Sequence, residues 1–184
     1  EAVGICRQMA KSNQQTVLPY LACSLNNLGE ALSAIGHHEE ALAAAQESAD
    51  LYCQLAESNP QDYLPNLAAS YNNLGLRLSA LGQWKPALAV TQKAVSIRRQ
   101  LAKSNPQIFL PYLARSLNNL GSIFFDSGQR EEALSTMQEA LAICRQLSEA
   151  NSQAFLPDLA RSLGIYGRML MTQESNDEAV RVFS

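Results

Sequence analysis

Apolar residues recur at steps of three and four along nearly the whole chain, and the register of the pattern shifts at regular places. Over residues 18–59 the first run is Ala22, Leu25, Leu28, Gly29 and Leu32, and the second is Ala41, Leu42, Ala45, Ala49, Tyr52 and Leu55. Each run predicts a helix with one buried face. Gly36 lies between them and supplies a helix stop. Glu39 and Glu40 open the second run, where negative charge suits the positive end of the helix dipole. Asn59 is expected to close it in the left-handed conformation, and Pro60 prevents continuation. Pro19 is expected in the first turn of the first helix, where a missing N–H costs little. No segment alternates as a strand would. The unit is a helical hairpin.

That hairpin is repeated. Ser24-Leu25-Asn26-Asn27-Leu28-Gly29 returns as Ser70-Tyr71-Asn72-Asn73-Leu74-Gly75 and as Ser116-Leu117-Asn118-Asn119-Leu120-Gly121. A divergent copy, Ser162-Leu163-Gly164-Ile165-Tyr166-Gly167, completes the series. The starting positions 24, 70, 116 and 162 differ by 46 each time. A fixed period in this range marks stacked repeats whose apolar faces are buried only against neighbours. The expected organisation is the second helix of a preceding repeat over 1–14, then repeats at 15–60, 61–106 and 107–152, and a truncated fourth at 153–184. Both ends fall inside expected helices, so the chain reads as a piece of a longer array. Gly29, Gly75, Gly121 and Gly167 lie mid-helix, where glycine costs about 1 kcal/mol relative to alanine. Ala41, Ala87, Ala133 and Ala179 come 12 residues later, as a close crossing of two helices would require.

The motif resembles the tetratricopeptide repeat family. The match reads Leu25, Leu28-Gly29, Leu32, Gly36, Ala41 and Ala45 in the first unit. It continues as Tyr71, Leu74-Gly75, Leu78, Gly82, Ala87 and Thr91, then as Leu117, Leu120-Gly121, Phe124, Gly128, Ala133 and Met137. The fourth unit keeps Leu163, Tyr166-Gly167, Leu170, Ala179 and Phe183 but has Glu174 in place of the turn glycine. The 46-residue period exceeds the family's usual 34, so both helices are expected to be extended. Leu-Asn-Asn-Leu in this long form looks like the kinesin-light-chain subclass, and like arrays attached to bacterial and fungal signalling ATPases and caspase-like proteases. The resemblance implies an all-α, right-handed α-solenoid of stacked antiparallel hairpins whose first helices line a concave groove.

Carried onto this chain, the groove positions are Cys23, Asn26, Glu30 and Ser33, then Ala69, Asn72, Leu76 and Ser79. They continue as Arg115, Asn118, Ser122, Phe125 and Asp126, and finally Arg161, Gly164, Arg168 and Met171. Asn26, Asn72 and Asn118 would form a ladder of amides able to donate to and accept from a peptide backbone. Duplication alone would also copy them. Asn27, Asn73 and Asn119 are read as bracing the hairpins. Arg115, Arg161 and Arg168 differ from their counterparts Cys23, Ala69 and Leu76 and suit a carboxylate or acidic peptide. Exposed arginines also serve solubility alone, and Asp126 stands near enough in register to neutralise one. Glu30 opposes the acidic tails held by chaperone-binding members of the family.

Composition narrows the function further. Fourteen basic against 17 acidic residues give no nucleic-acid footprint. Residues 1–92 hold four basic and eight acidic side chains, and residues 93–184 hold ten and nine, so the charge is polarised along the chain. Cys6, Cys23, Cys53 and Cys144 have no Cys-x-x-Cys spacing, and the register suggests buried or half-buried free thiols in a reducing compartment. No apolar run reaches a membrane span. His37 and His38 are adjacent on a turn and make poor joint ligands; Trp84 either packs on the next unit or anchors a partner. With no catalytic, metal or nucleotide motif, the expected class is a cytoplasmic, non-enzymatic, cofactor-free module for protein–protein interaction, the scaffold or sensor of a larger signalling protein. The alternative is a spacer, or a rod that associates end to end.

Overall fold

The computed structural model describes the backbone of residues 2–10 and 14–183, and side chains over 2–9 and 16–171. The chain divides into two compact units, residues 1–101 and 102–184. Among the described residues there is helix and turn but no strand.

The first unit contains α1 (Ala2–Ala10), α2 (Gln14–Ala34), α3 (His38–Ser58), α4 (Pro60–Ala80) and most of α5 (Trp84–Ser104). The second contains α6 (Pro106–Asp126), α7 (Arg130–Ala150) and α8 (Ser152–Phe183). Helices α2 to α7 are each 21 residues long, as a 46-residue period with short joints demands. In each unit successive helices pack on one another, α1–α2–α3–α4 in the first and α6–α7–α8 in the second. The first helices of neighbouring hairpins, α2 with α4 and α6 with α8, also touch.

Two kinds of joint alternate. Within a hairpin the chain turns at Gly36, Gly82 and Gly128, with φ of +85°, +70° and +83°. His37 N–H donates to the Leu32 carbonyl at 2.9 Å and Gly36 N–H to the Ser33 carbonyl at 3.1 Å, and the other two turns repeat the pattern. This is a Schellman stop, and its left-handed residue is why glycine stands there. Between hairpins a single residue suffices. Asn59, Asn105 and Asn151 adopt φ of −142°, −145° and −153°. The expectation of left-handed asparagines was therefore incorrect: the chain needs an extended link between two helices, and at Asn105 and Asn151 the same side chain also caps the second of them. The Asn105 and Asn151 side-chain oxygens accept from Ile108 N–H at 3.4 Å and Ala154 N–H at 3.2 Å.

The proline expectation also shifts. Pro60 and Pro106 take the first helical position, whereas Pro19, Pro65, Pro111 and Pro157 lie inside their helices. Helix α2 begins at Gln14, upstream of the apolar periodicity, so Pro19 falls in its second turn. Pro86 does lie in the first turn of α5.

The glycine–alanine crossing is present in three hairpins. Ala41, Ala87 and Ala133 are fully buried. A Cβ on Gly29 would stand 3.1 Å from the Ala41 carbonyl oxygen, and one on Gly121 would stand 2.8 Å from Met137 Sδ. On Gly75 it would collide with Thr91 Oγ1. Gly167 has nothing within 4 Å, and Ala179 lies outside the described side chains. Helix α8 passes Glu174 and runs unbroken to Phe183.

Most of the expected apolar positions in the first hairpin are buried; Leu32 and Leu42 are half-buried, and Leu28 is exposed although its counterpart Leu74 is buried.

Candidate functional site

The first asparagine of each pair is turned into the packing between helices. Asn72 and Asn118 are only 3% and 7% exposed. The Asn118 amide donates to Ser162 Oγ at 2.7 Å, and Asn26 makes the same 2.7 Å bond to Ser70 Oγ. Each bond ties a first helix to the first helix of the next hairpin. In the first unit Ser48 Oγ extends the spine, donating to the Ala22 carbonyl at 2.7 Å and lying 3.3 Å from Ser70 Oγ. In the second, Cys144 Sγ lies 3.5 Å from Ser162 Oγ, and burial pushes its thiol above the ordinary value. The expected ladder thus points into the joint between helices, not into an open channel. Asn27 is exposed and Asn73 and Asn119 are half-buried. The sequence repeats both members of each pair equally, so periodicity could not say which one faced inward.

Glu30 remains exposed at the surface of the first unit. Burial lowers the Arg77 guanidinium from its ordinary value, and the nearby Glu30 charge acts against that shift. Glu30 therefore has a cationic neighbour on the next first helix.

The second unit gathers more. A cavity of about 350 Å³ is lined by Ser122, Phe125 and Asp126 of α6 and by Ile165, Arg168 and Met169 of α8. Successive turns of α6 supply Ser122 and Asp126, four residues apart, and α8 supplies Ile165 and Met169 with the same spacing. Ser122 Oγ donates to the Asn118 carbonyl at 3.0 Å and keeps its lone pairs for a ligand donor. Burial raises the Asp126 carboxyl above its ordinary value, and the Arg168 charge partly offsets this. The cavity therefore has an apolar wall of Phe125, Ile165 and Met169, with a carboxylate and a guanidinium on its two sides.

Arg115 and Arg161 stand away from that lining and are held by neighbours three residues earlier. The Arg115 guanidinium sits 5.7 Å from the centre of the Tyr112 ring. Arg161 pairs with Asp158 at 2.5 Å. Tyr112, Asp158, Ile165 and Met169 were not singled out from sequence. The first two were legible as residues one helical turn before an arginine; the last two required knowing which face of α8 meets α6. Met171 is exposed, beside the lining and not in it.

Other candidate chemistry is dispersed. His37 Nδ1 lies 2.7 Å from Glu40 Oε1 at the start of α3, both exposed. The four cysteines are free; Cys144 is buried, Cys6 and Cys53 are half-buried, and Cys23, one of the expected groove positions, is exposed. Among the described residues no group of three or more His, Cys, Asp or Glu side chains could hold a metal ion. Among them no helix is long and apolar enough to cross a membrane.

The sequence pattern of the tetratricopeptide repeat matches residues 21–62, 67–107 and 113–154. No curated protein sequence matches the chain. Among solved structures, aspartyl phosphate phosphatase F from Bacillus subtilis superposes with a TM-score of 0.65 at 18% identity, over 90% of this chain and 40% of that one. The chain thus spans less than half of that protein's length. The nearly identical tetratricopeptide-like repeats of a Podosopora anserina putative kinesin light chain, in a variant form, give 0.63 at 22% identity over 98% of this chain and 84% of theirs. A second structure of those repeats gives 0.59 at 21% identity, over 98% and 92%. At these identities the likeness is one of fold.

Proposed function

The chain belongs to the tetratricopeptide repeat family, and on that premise we propose that it is a protein-interaction module binding an extended segment of another protein along its first helices. Repeats of this family typically bind proteins or peptides and are generally not enzymes. The observation that carries the reading is the α6–α8 cavity, where the sequence-derived positions Ser122, Phe125 and Arg168 converge. Its volume of about 350 Å³ accommodates one large apolar side chain beside Phe125 and Met169. Arg168 would take a carbonyl or carboxylate of the bound segment, and Ser122 and Asp126 would take its N–H groups. Arg115 and Arg161 would add a general preference for acidic segments, weakened at Arg161 by Asp158. The scaffold or sensor role within a larger signalling protein is part of the same proposal.

A display library of random peptides, panned in parallel against the protein, Phe125→Asp and Arg168→Ala, tests this. The expected outcome is enrichment of peptides with a large apolar residue near an acidic one, lost in both variants. No enrichment, or enrichment untouched by both substitutions, would overturn it and favour the spacer. Divergence among units at the arginine positions speaks against the spacer, since a mere rod has no reason to vary them.

A further inference from the structure

Several departures from the repeat meet in one place. Phe125, Asp126 and Arg168 line the α6–α8 cavity together. One and two periods earlier, the place of Phe125 holds Ser79 and Ser33, and that of Asp126 holds Ala80 and Ala34. The place of Arg168 holds Ser122, Leu76 and Glu30 in the earlier units. The repeat therefore needs neither this carboxylate nor this guanidinium in order to fold.

Their setting is an apolar floor with a charged edge. Met169 is buried and Phe125 and Ile165 are half-buried, whereas Asp126 and Arg168 are exposed. A cavity of about 350 Å³ holds one side chain, so a ligand carboxylate on Arg168 has Asp126 as its neighbour. One guanidinium then faces two carboxylates in a space from which the ligand has displaced water. Like charges so placed resist ionising together, and the pair takes up a proton. Burial already raises the Asp126 carboxyl above its ordinary value, with the Arg168 charge acting against it. The other charged groups on the elements packed against α6 are engaged or aimed elsewhere. On α8 Asp158 is paired with Arg161. On α7 Glu131 and Glu132 line a separate cavity with Phe124, and Arg130 is exposed at the helix start. On α6 itself Arg115 lies against Tyr112, about three turns from Asp126.

We propose that the α6–α8 cavity binds an acidic segment together with one proton, which Asp126 and the segment's carboxylate share beside Arg168. The protonated oxygen donates to the ionised one, a short charge-assisted bond. The proton comes from solvent and no covalent bond between heavy atoms changes. The complex holds one proton more than the separate partners, so affinity rises as pH falls, by at most about tenfold per pH unit. The rise begins near neutral pH and ends at the range where the free carboxyl protonates by itself. This proton linkage rests on the reading of the cavity as a peptide site, and adds to it the regulation of that site by pH.

Histidine-free peptides enriched from the random library at about pH 5.5 are the probes, titrated calorimetrically at about pH 5.5 and about pH 7.5. Acidic peptides should bind about tenfold more tightly at the lower pH, and the enthalpy should vary with the buffer as uptake of about one proton requires. Glutamine in place of the peptide's acid should reduce the pH effect to less than about twofold. Asp126→Asn should bind the acidic peptide about tenfold more tightly than the parent at the higher pH, and equally at both, since its amide donates as the protonated acid does. Asp126→Ala, the residue at that place in two other units, should also lose the pH dependence. Equal parent affinity at both pH values would overturn the linkage, as would pH dependence that survives both substitutions or weaker binding by Asp126→Asn at the higher pH. If Arg168→Ala still abolishes binding in those cases, the peptide site stands without the proton. Absence of enrichment at both pH values would overturn the two together.

Discussion

Helices α6 and α8 carry the same repeat 46 residues apart, yet one is interior and the other largely surface. Leu117 of α6 is fully buried, and its counterpart Leu163 is 44% exposed. Gly121 lies against Met137 and Ala133 of α7, whereas Gly167 has nothing within 4 Å. Helix α6 stops at Gly128, whose positive φ only glycine adopts at no cost. Glu174 occupies that register in α8, where a left-handed residue would cost about 1–2 kcal/mol, and the helix runs on to Phe183. The comparison teaches that a repeat encodes its helix and apolar stripe locally, while burial of the stripe is supplied by a neighbour.

The largest test of that difference is truncation of the paired leucines. Leu117→Ala should cost about 2–5 kcal/mol, because it removes a buried side chain and leaves a cavity. Leu163→Ala in dilute solution should cost less than about 1 kcal/mol, as read from urea unfolding of both variants. Equal losses would mean that α8 is covered in solution even in the monomer.

Enlarging the glycines comes next. Gly121→Leu must displace Met137 and approach the Ala133 carbonyl, with an expected loss of about 1–3 kcal/mol. Gly167→Leu meets open space and gains helix propensity of up to about 1 kcal/mol. Thermal melts should therefore move in opposite directions.

A smaller effect is expected at the polar spine. Asn118→Ala deletes the bond to Ser162, but the Asn118 Oδ1 it also removes is buried with no partner. The two contributions oppose, and the net loss should be about 1 kcal/mol. Gly164→Asn, which restores the repeat's asparagine to α8, meets nothing within 4 Å and should leave the melting temperature nearly unchanged.

The smallest effect concerns Asp126. Burial raises its folded-state carboxyl above the ordinary value, with Arg168 acting against the shift. The folded protein therefore binds this proton more readily than the unfolded chain, so stability from this group falls as pH rises from the ordinary carboxylate value to the folded one. Asp126→Asn should flatten stability against pH in that window and slightly raise the melting temperature above it. An unchanged profile would mean that the Asp126 carboxyl is not desolvated at the cavity.

Much of this was legible before any coordinates. The three turn glycines, the crossing of Gly29, Gly75 and Gly121 with Ala41, Ala87 and Ala133, and the matched helix lengths all come from one period and one conformational fact about glycine. The site was less legible. Ser122, Phe125 and Arg168 do meet in the α6–α8 cavity, but Arg115 and Arg161 lie outside its lining. Neighbouring asparagines on a helix sit about 100° apart, and a repeat copies both, so nothing in the pattern marked the first of each pair as the inward one.

From its sequence alone the chain determines a helical hairpin, its stops, its step and its family, because these depend on dihedral preferences and spacing within 46 residues. Only the tertiary structure decided that Asn72 and Asn118 are buried, that Leu28, Leu156 and Leu163 are not, and that Asp126 shares a cavity with Arg168. Burial is a property of the contact between two surfaces. A periodic sequence states what each surface offers at every repeat but is silent on which copy has a neighbour to receive it.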